Sequence, residues 1–139
     1  MTSKLILDNL AGRTTAGSIA VVGEGNGTTT NLQGGLAKVW VQYDMQSTAH
    51  IDNSQNVSSL NDDGTGTATL SYSSNLNYGT YCVAATTGRQ GASDNCSIRA
   101  FDNSVAPSAS AIKMYTYTTD SGNAADVLTN GVSIHGDLA

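Results

Sequence analysis

Two histidines, two cysteines and eleven carboxylates are the side chains from which catalysis or metal binding in this chain would have to be built. A Ser-His-Asp hydrolase needs His50 or His135 beside a nucleophile, and no Gly-x-Ser-x-Gly elbow is present. His135-Gly136-Asp137 lies close to the end of the sequence, a poor place to hold a catalytic group rigidly. Both histidines therefore read as surface or interface residues. Paired carboxylates for glycoside cleavage find no local constellation among the eleven acids. Asn61-Asp62-Asp63-Gly64 and Asp52-Asn53 suggest calcium, which takes several oxygen ligands, but the EF-hand spacing is missing. A turn in which Asp bonds its own backbone is the better reading. Gly23-Glu24-Gly25-Asn26-Gly27 follows an apolar run as a phosphate loop would, yet no helix or Lys-Ser/Thr pair follows it, and Glu24 would repel a phosphate. Cys82 and Cys96 are too far apart, with no histidine nearby, for a zinc site. If residues 80–86 and 95–101 pair as neighbouring strands, the two thiols come close; cytoplasmic synthesis favours the reduced state. The expectation is a chain that is not an enzyme, with no catalytic residue, no cofactor and no metal.

The elements that would carry these residues are strands. Thr65, Thr67, Thr69 and Ser71 alternate with Gly66, Ala68, Leu70 and Tyr72, the period of a half-buried strand. Asn61-Asp62-Asp63-Gly64 reads as the tight hairpin turn before it, with Asp-Gly supplying positive φ. In residues 37–43, Val39, Val41 and Tyr43 share one face, so Trp40 points the other way, to a second apolar layer or a subunit interface. Further strands are predicted near 56–60, 80–86, 96–101, 111–118 and 127–135. Around 111–118, Ile112, Met114 and the threonines oppose Lys113, Tyr115 and Tyr117. Pro107 falls between strands, where it removes no ladder bond. Helical periodicity is absent apart from a turn at 123–128. Seven to ten short strands with regular turn signals predict an all-β fold, an antiparallel β-sandwich or jelly roll over residues 36–139. Residues 1–35, poor in large apolar side chains and rich in Gly and Thr, read as an extended N-terminal arm for attachment or oligomerisation.

Composition excludes several partners. Of 139 residues, 39% are hydrophobic and only 12% charged, and about two-fifths are Ser, Thr, Asn or Gly. The net charge of −5 and six scattered basic residues argue against a nucleic-acid backbone and an anionic membrane surface. No apolar run is long enough for a transmembrane helix. The start, Met1 to Asp8, stops being apolar after Leu5-Ile6-Leu7, too short for a signal-peptide core. The sequons at Asn26, Asn56 and Asn95 carry little weight without a secretory signal.

Asn56-Val-Ser-Ser-Leu60, Asp63-Gly-Thr-Gly66, the alternating strand after it and Tyr81-Cys-Val-Ala84 form an ordered series. A Trp-containing strand, Gly35 to Val41, precedes the series, and Val132-Ser-Ile-His-Gly-Asp137 closes it. The series resembles a domain found in tail-fibre-like and virion structural proteins of marine bacteriophages. The lead-in Asp8-Asn-Leu-Ala-Gly-Arg-Thr14 with Leu32-Gln33 resembles the segment that accompanies that domain. The resemblance implies a non-enzymatic phage virion protein, made in the host cytoplasm and placed on the virion surface. Its partners would be other capsid or tail proteins and further copies of itself, with a trimer the first expectation. The shortness of the chain favours a capsid decoration, cement or head-fibre subunit. Lys4, Leu5, Ile6, Leu7, Leu10, Arg13 and Trp40 are then the attachment or interface candidates. The alternative is a short tail-fibre or receptor-binding module contacting the host through Tyr115, Tyr117, Arg89 and Asp94.

Overall fold

The structure, a computed structural model, describes residues 5–11, 19–22, 29–88, 95–100 and 106–136. The chain divides into two compact units, Met1–Leu36 and Ala37–Ala139. The second unit is a β-sandwich of two four-stranded antiparallel sheets. Before it the chain forms β1 (Ala20–Val22), β2 (Thr29–Asn31) and the single turn α1 (Leu32–Gly35). The sandwich then runs β3 (Val39–Asp44), β4 (His50–Gln55), β5 (Val57–Gly64), β6 (Thr67–Tyr72), β7 (Cys82–Thr87), β8 (Cys96–Arg99), β9 (Ala111–Thr118) and β10 (Asn130–His135). One sheet has the order β4-β3-β10-β7 and the other β5-β6-β9-β8.

The core comes from the central strands of each sheet, because only these are flanked on both sides. Val39, Val41 and Tyr43 of β3 and Val132 and Ile134 of β10 face Ala68, Leu70 and Tyr72 of β6 and Ile112 and Met114 of β9. The period-two alternation expected for β6 and β9 holds: Thr67, Thr69, Lys113, Tyr115 and Tyr117 lie on the outer face and are only partly covered. One polar group in the core has no partner among the described residues, the Tyr43 hydroxyl. Burial alone pushes that phenol far above its ordinary value. Asn130, fully buried, is satisfied: its amide donates to the Val127 carbonyl at 3.0 Å and accepts from Thr87 Oγ1 at 2.7 Å.

Two sequence features turn out to be structural joints. Asn56 holds a left-handed φ of 59° between β4, an edge strand of one sheet, and β5, an edge strand of the other. Its side chain accepts from Ser74 N at 2.6 Å and donates to Ser74 O at 3.0 Å, clasping the end of β6 to the crossover. Asn tolerates αL better than other non-Gly residues. The second joint is the β5–β6 turn, whose centre is Thr65-Gly66 rather than Asp62-Asp63. Asn61, Asp62 and Asp63 lie within β5, with Asn61 opposite Thr69 and Asp62 opposite Ala68. Gly64, at φ 123°, marks the bulge that lets the strand reach that turn. Gly66 N donates to Asp126 Oδ1 at 2.6 Å, and Thr116 N donates to Gly66 O at 2.7 Å.

Three further expectations are corrected. β4 was not among the predicted strands, since His-Ile-Asp-Asn-Ser-Gln has one large apolar residue and runs along an exposed sheet edge. Residues 80–86 and 95–101 do not pair as neighbours: β7 and β8 belong to opposite sheets, and Cys82 and Cys96 are free. Residues 123–128 form no helix; Ala124 makes an isolated bridge to Tyr117, and Ala125 and Val127 are buried.

The first unit is of another kind. β1 and β2 form a two-stranded ribbon closed by Leu32 N donating to Ile19 O at 2.9 Å. All three residues of β1 are exposed. Residues 5–11 precede it without strand or helix.

Candidate functional site

The sequence candidates fall on three separate surfaces. The first is the N-terminal unit. Leu5 is 81% exposed and Ile6 75%, and Leu7 and Leu10 are also exposed. With Val21, Val22 and Leu36 they make seven of the nine exposed large hydrophobic residues among those described. A two-stranded ribbon is marginal by itself, and exposed apolar side chains of this kind are suited to being covered. Lys4 and Arg13 lie outside the described residues.

The second surface is the outer face of the β5-β6-β9-β8 sheet. Arg99 of β8 stands opposite Tyr115 of β9, with its guanidinium carbon 5.7 Å from the Tyr115 ring centroid and 5.2 Å from that of Tyr117. These are cation–π distances, so the guanidinium lies over both rings. Arg89 and Asp94, the loop candidates, lie outside the described residues. Nearby, Asp63 Oδ2 accepts from Thr69 Oγ1 at 2.6 Å and pairs with Lys113 Nζ at 3.1 Å, while Asn61 donates to Asp63 Oδ1. The Thr69 hydrogen bond, helped by Lys113 and Asn61, holds the Asp63 carboxyl below its ordinary range. The former calcium candidate is thus a strand carboxylate spent on cross-strand bonds. Asp62 closes an Asx turn through Gly64 N at 2.9 Å, the self-capping that the sequence suggested.

The third surface is the outer face of the β4-β3-β10-β7 sheet. Trp40 points away from the core, as expected, and its Nε1 donates to Gln55 Oε1 on β4 at 2.8 Å. Ser133 stands opposite Trp40, and Gly131 opposite Gln42. Ser133 Oγ lies 3.4 Å from His135 Nε2, a long contact between neighbours on one strand face, and no carboxylate among the described residues is bonded to the imidazole. At the far corner His50, exposed, is held by the Thr48 carbonyl at 2.9 Å on Nδ1 and by Asp52 at 3.2 Å on Nε2. The Thr48 hydrogen bond, and after it the Asp52 and Asp44 charges, raise its pKa by favouring the imidazolium. The two histidines thus have separate surroundings, neither of them a nucleophile–base–carboxylate chain.

Among the described residues, no three His, Cys, Asp or Glu side chains gather where they could hold a metal ion, and no helix is long and apolar enough to cross a membrane. An open apolar groove of about 430 Å³ is lined by Gly79, Thr80, Tyr81, Ala106 and Pro107. The Tyr81 hydroxyl is already committed, to the Ser108 and Ala111 carbonyls and to Tyr72 at 2.7 Å. Sequence reading had assigned no role to Gln55 or Gln42, since nothing in HIDNSQ signals the edge strand that brings Gln55 beside Trp40. No family model, curated protein or solved structure matches the chain.

Proposed function

We propose that this chain is a non-enzymatic structural protein of a bacteriophage particle. In this reading it is a capsid decoration or head-fibre subunit, held to the particle through residues 1–35 and displaying the sandwich. The supporting observation is the concentration of exposed apolar side chains in the N-terminal unit. Leu5, Ile6, Leu7, Leu10, Val21 and Val22 cannot bury one another in a three-residue ribbon, and exposed apolar surface of this kind is what partner proteins cover. The ordered series from the Trp40 strand to the closing Gly-Asp, with its resemblance to phage virion proteins, supplies the class of partner. Self-association into a trimer belongs to the same reading, because contacts between copies would add stability by mass action to a sandwich with one Phe and one Trp. The rival tail-fibre reading through Tyr115 and Tyr117 is less favoured, since Arg99 lies over both rings.

The test is binding to phage particles that lack this protein. The full chain should bind with a copy number of the order of the capsid's own subunits. A chain without residues 1–10 should lose binding while its circular dichroism keeps the sandwich signature. Retained binding by the truncated chain, with the sandwich intact, removes the arm from the attachment.

A further inference from the structure

The two outer faces of the sandwich have different chemistry. On the β5-β6-β9-β8 sheet charged groups are paired across the strands: Asp63 is bonded to Thr69, Lys113 and Asn61, and Arg99 lies over Tyr115 and Tyr117. On the β4-β3-β10-β7 sheet the middle of the face carries no charge. Its row across the strands is Gln55, Trp40, Ser133, Ala84, and the next is Asn53, Gln42, Gly131, Thr86.

Trp40 donates to Gln55, so the indole leans toward β4, away from β10. The residues it leans away from, Ser133 and Ala84, are small, and Ala84 is exposed. Beside them Gly131 has no side chain, so the Thr86 hydroxyl lies over its backbone, 3.0 Å from where a Cβ would stand, with Gln42 on the strand at the other side. Gln42 is exposed, and its amide has no partner among the described residues. The result is an uncharged patch on the sheet: an indole held by its own hydrogen bond, small residues beside it, and an amide and a hydroxyl on the neighbouring row.

We infer that this patch is a binding site for a neutral saccharide, one sugar ring packing its C–H face on the Trp40 indole while Gln42 and Thr86 exchange hydrogen bonds with its hydroxyls. An aromatic plane beside uncharged donor–acceptor groups matches a ligand that has an apolar face, many hydroxyls and no charge. A nucleobase would also stack on the indole, but nucleic acid brings phosphates. The centre of the patch offers no Lys or Arg to meet them, and the net charge of −5 opposes their approach. The inference is independent of the arm: it concerns the sandwich alone, and attachment to a particle neither requires nor excludes it.

Trp40 is the sole tryptophan, so its fluorescence reports directly on the patch. The full chain is titrated with neutral hexasaccharides of glucose, mannose, galactose and N-acetylglucosamine, up to about 10 mM so that a weak millimolar complex registers. A saturable change with at least one of them is expected. By calorimetry with that sugar, Trp40→Ala should weaken binding at least about tenfold and Gln42→Ala several-fold, while Trp40→Phe, which keeps a ring, retains part of it. Circular dichroism of each variant checks that the sandwich is intact. No saturable change with any of the four sugars overturns the proposal. So does sugar binding that folded Trp40→Ala leaves unchanged, or a response to oligothymidylate with none to the sugars.

Discussion

Gly66 occupies a position that no other residue can share. Its φ of 68° is left-handed, and a Cβ built there would collide with the Thr116 carbonyl oxygen and stand 2.7 Å from Ala125 N, both backbone atoms. Backbone cannot swing aside as a flexible side chain can. Gly66→Ala is expected to cost about 2–4 kcal/mol, the sum of αL strain and displaced strand backbone, read from urea or thermal unfolding. Gly64, at φ 123° with open space around its Cβ position, is the control: its alanine variant carries backbone strain alone and should lose less. The sequence signals both glycines as turn residues. It does not signal that Gly66 is also where β9 and the 124–126 segment press against the turn, because that closeness comes from residues about fifty to sixty positions away.

At the scale of elements, the crossover from β4 to β5 is the step that makes a sandwich out of two hairpins, and one residue carries it. Asn56 combines an αL backbone with a side chain that bonds both ways to Ser74, and Ser73 N donates to its carbonyl at 3.2 Å. Asn56→Ala should lose about 1–3 kcal/mol, through the two side-chain bonds and the αL penalty together. Asn56→Gly restores the backbone part, about 1 kcal/mol, and leaves the clasp broken. Chemical denaturation of the two variants separates the contributions; equal stability of Asn56→Ala and wild type would show that the clasp does not hold the crossover. The apolar alternation of β3, β6 and β9 is legible in the sequence because central strands must bury one whole face. The edge strand β4 is not, because one side of an edge strand has no neighbour and its residues need satisfy only water. The cysteines show the same limit: sequence proximity suggests pairing of the segments around Cys82 and Cys96, but the chain changes sheet between them.

For the whole molecule, three phenols, two buried and one partly buried, set the alkaline limit. Burial raises Tyr43, Tyr72 and Tyr81 above the ordinary value near 10. Tyr81 gives its proton to the Ser108 or Ala111 carbonyl, so Tyr72 must be the donor in the pair; the bond raises Tyr72 further and lowers Tyr81. Their folded values exceed the unfolded one, so the native state keeps protons that the unfolded chain has released. The stability they contribute is complete below about pH 10 and falls as pH rises beyond it. Melting temperature should therefore be flat from about pH 7 to 9 and drop steeply above about pH 10. Tyr72→Phe should flatten part of that drop, and a drop of the same steepness in Tyr72→Phe would assign it to the other two phenols.

What the sequence determined by itself is the fold class and its inner and outer faces: alternation of period two, small turn residues and the absence of helical periodicity leave an all-β sandwich as the way to bury Val39, Val41, Leu70, Ile112 and Ile134. Those signals are local, since they depend on a side chain and its next-but-one neighbour. What only the tertiary structure decided is which outward residues meet. Arg99 reaches Tyr115 and Tyr117 through the β8–β9 register, Gln55 fixes Trp40 through β3–β4, and Gln42, Gly131 and Thr86 come together from three strands across β3, β10 and β7. Outward residues bear no burial pattern, and strand order is set by the packing of the two sheets as a whole. No local spacing could therefore have placed them.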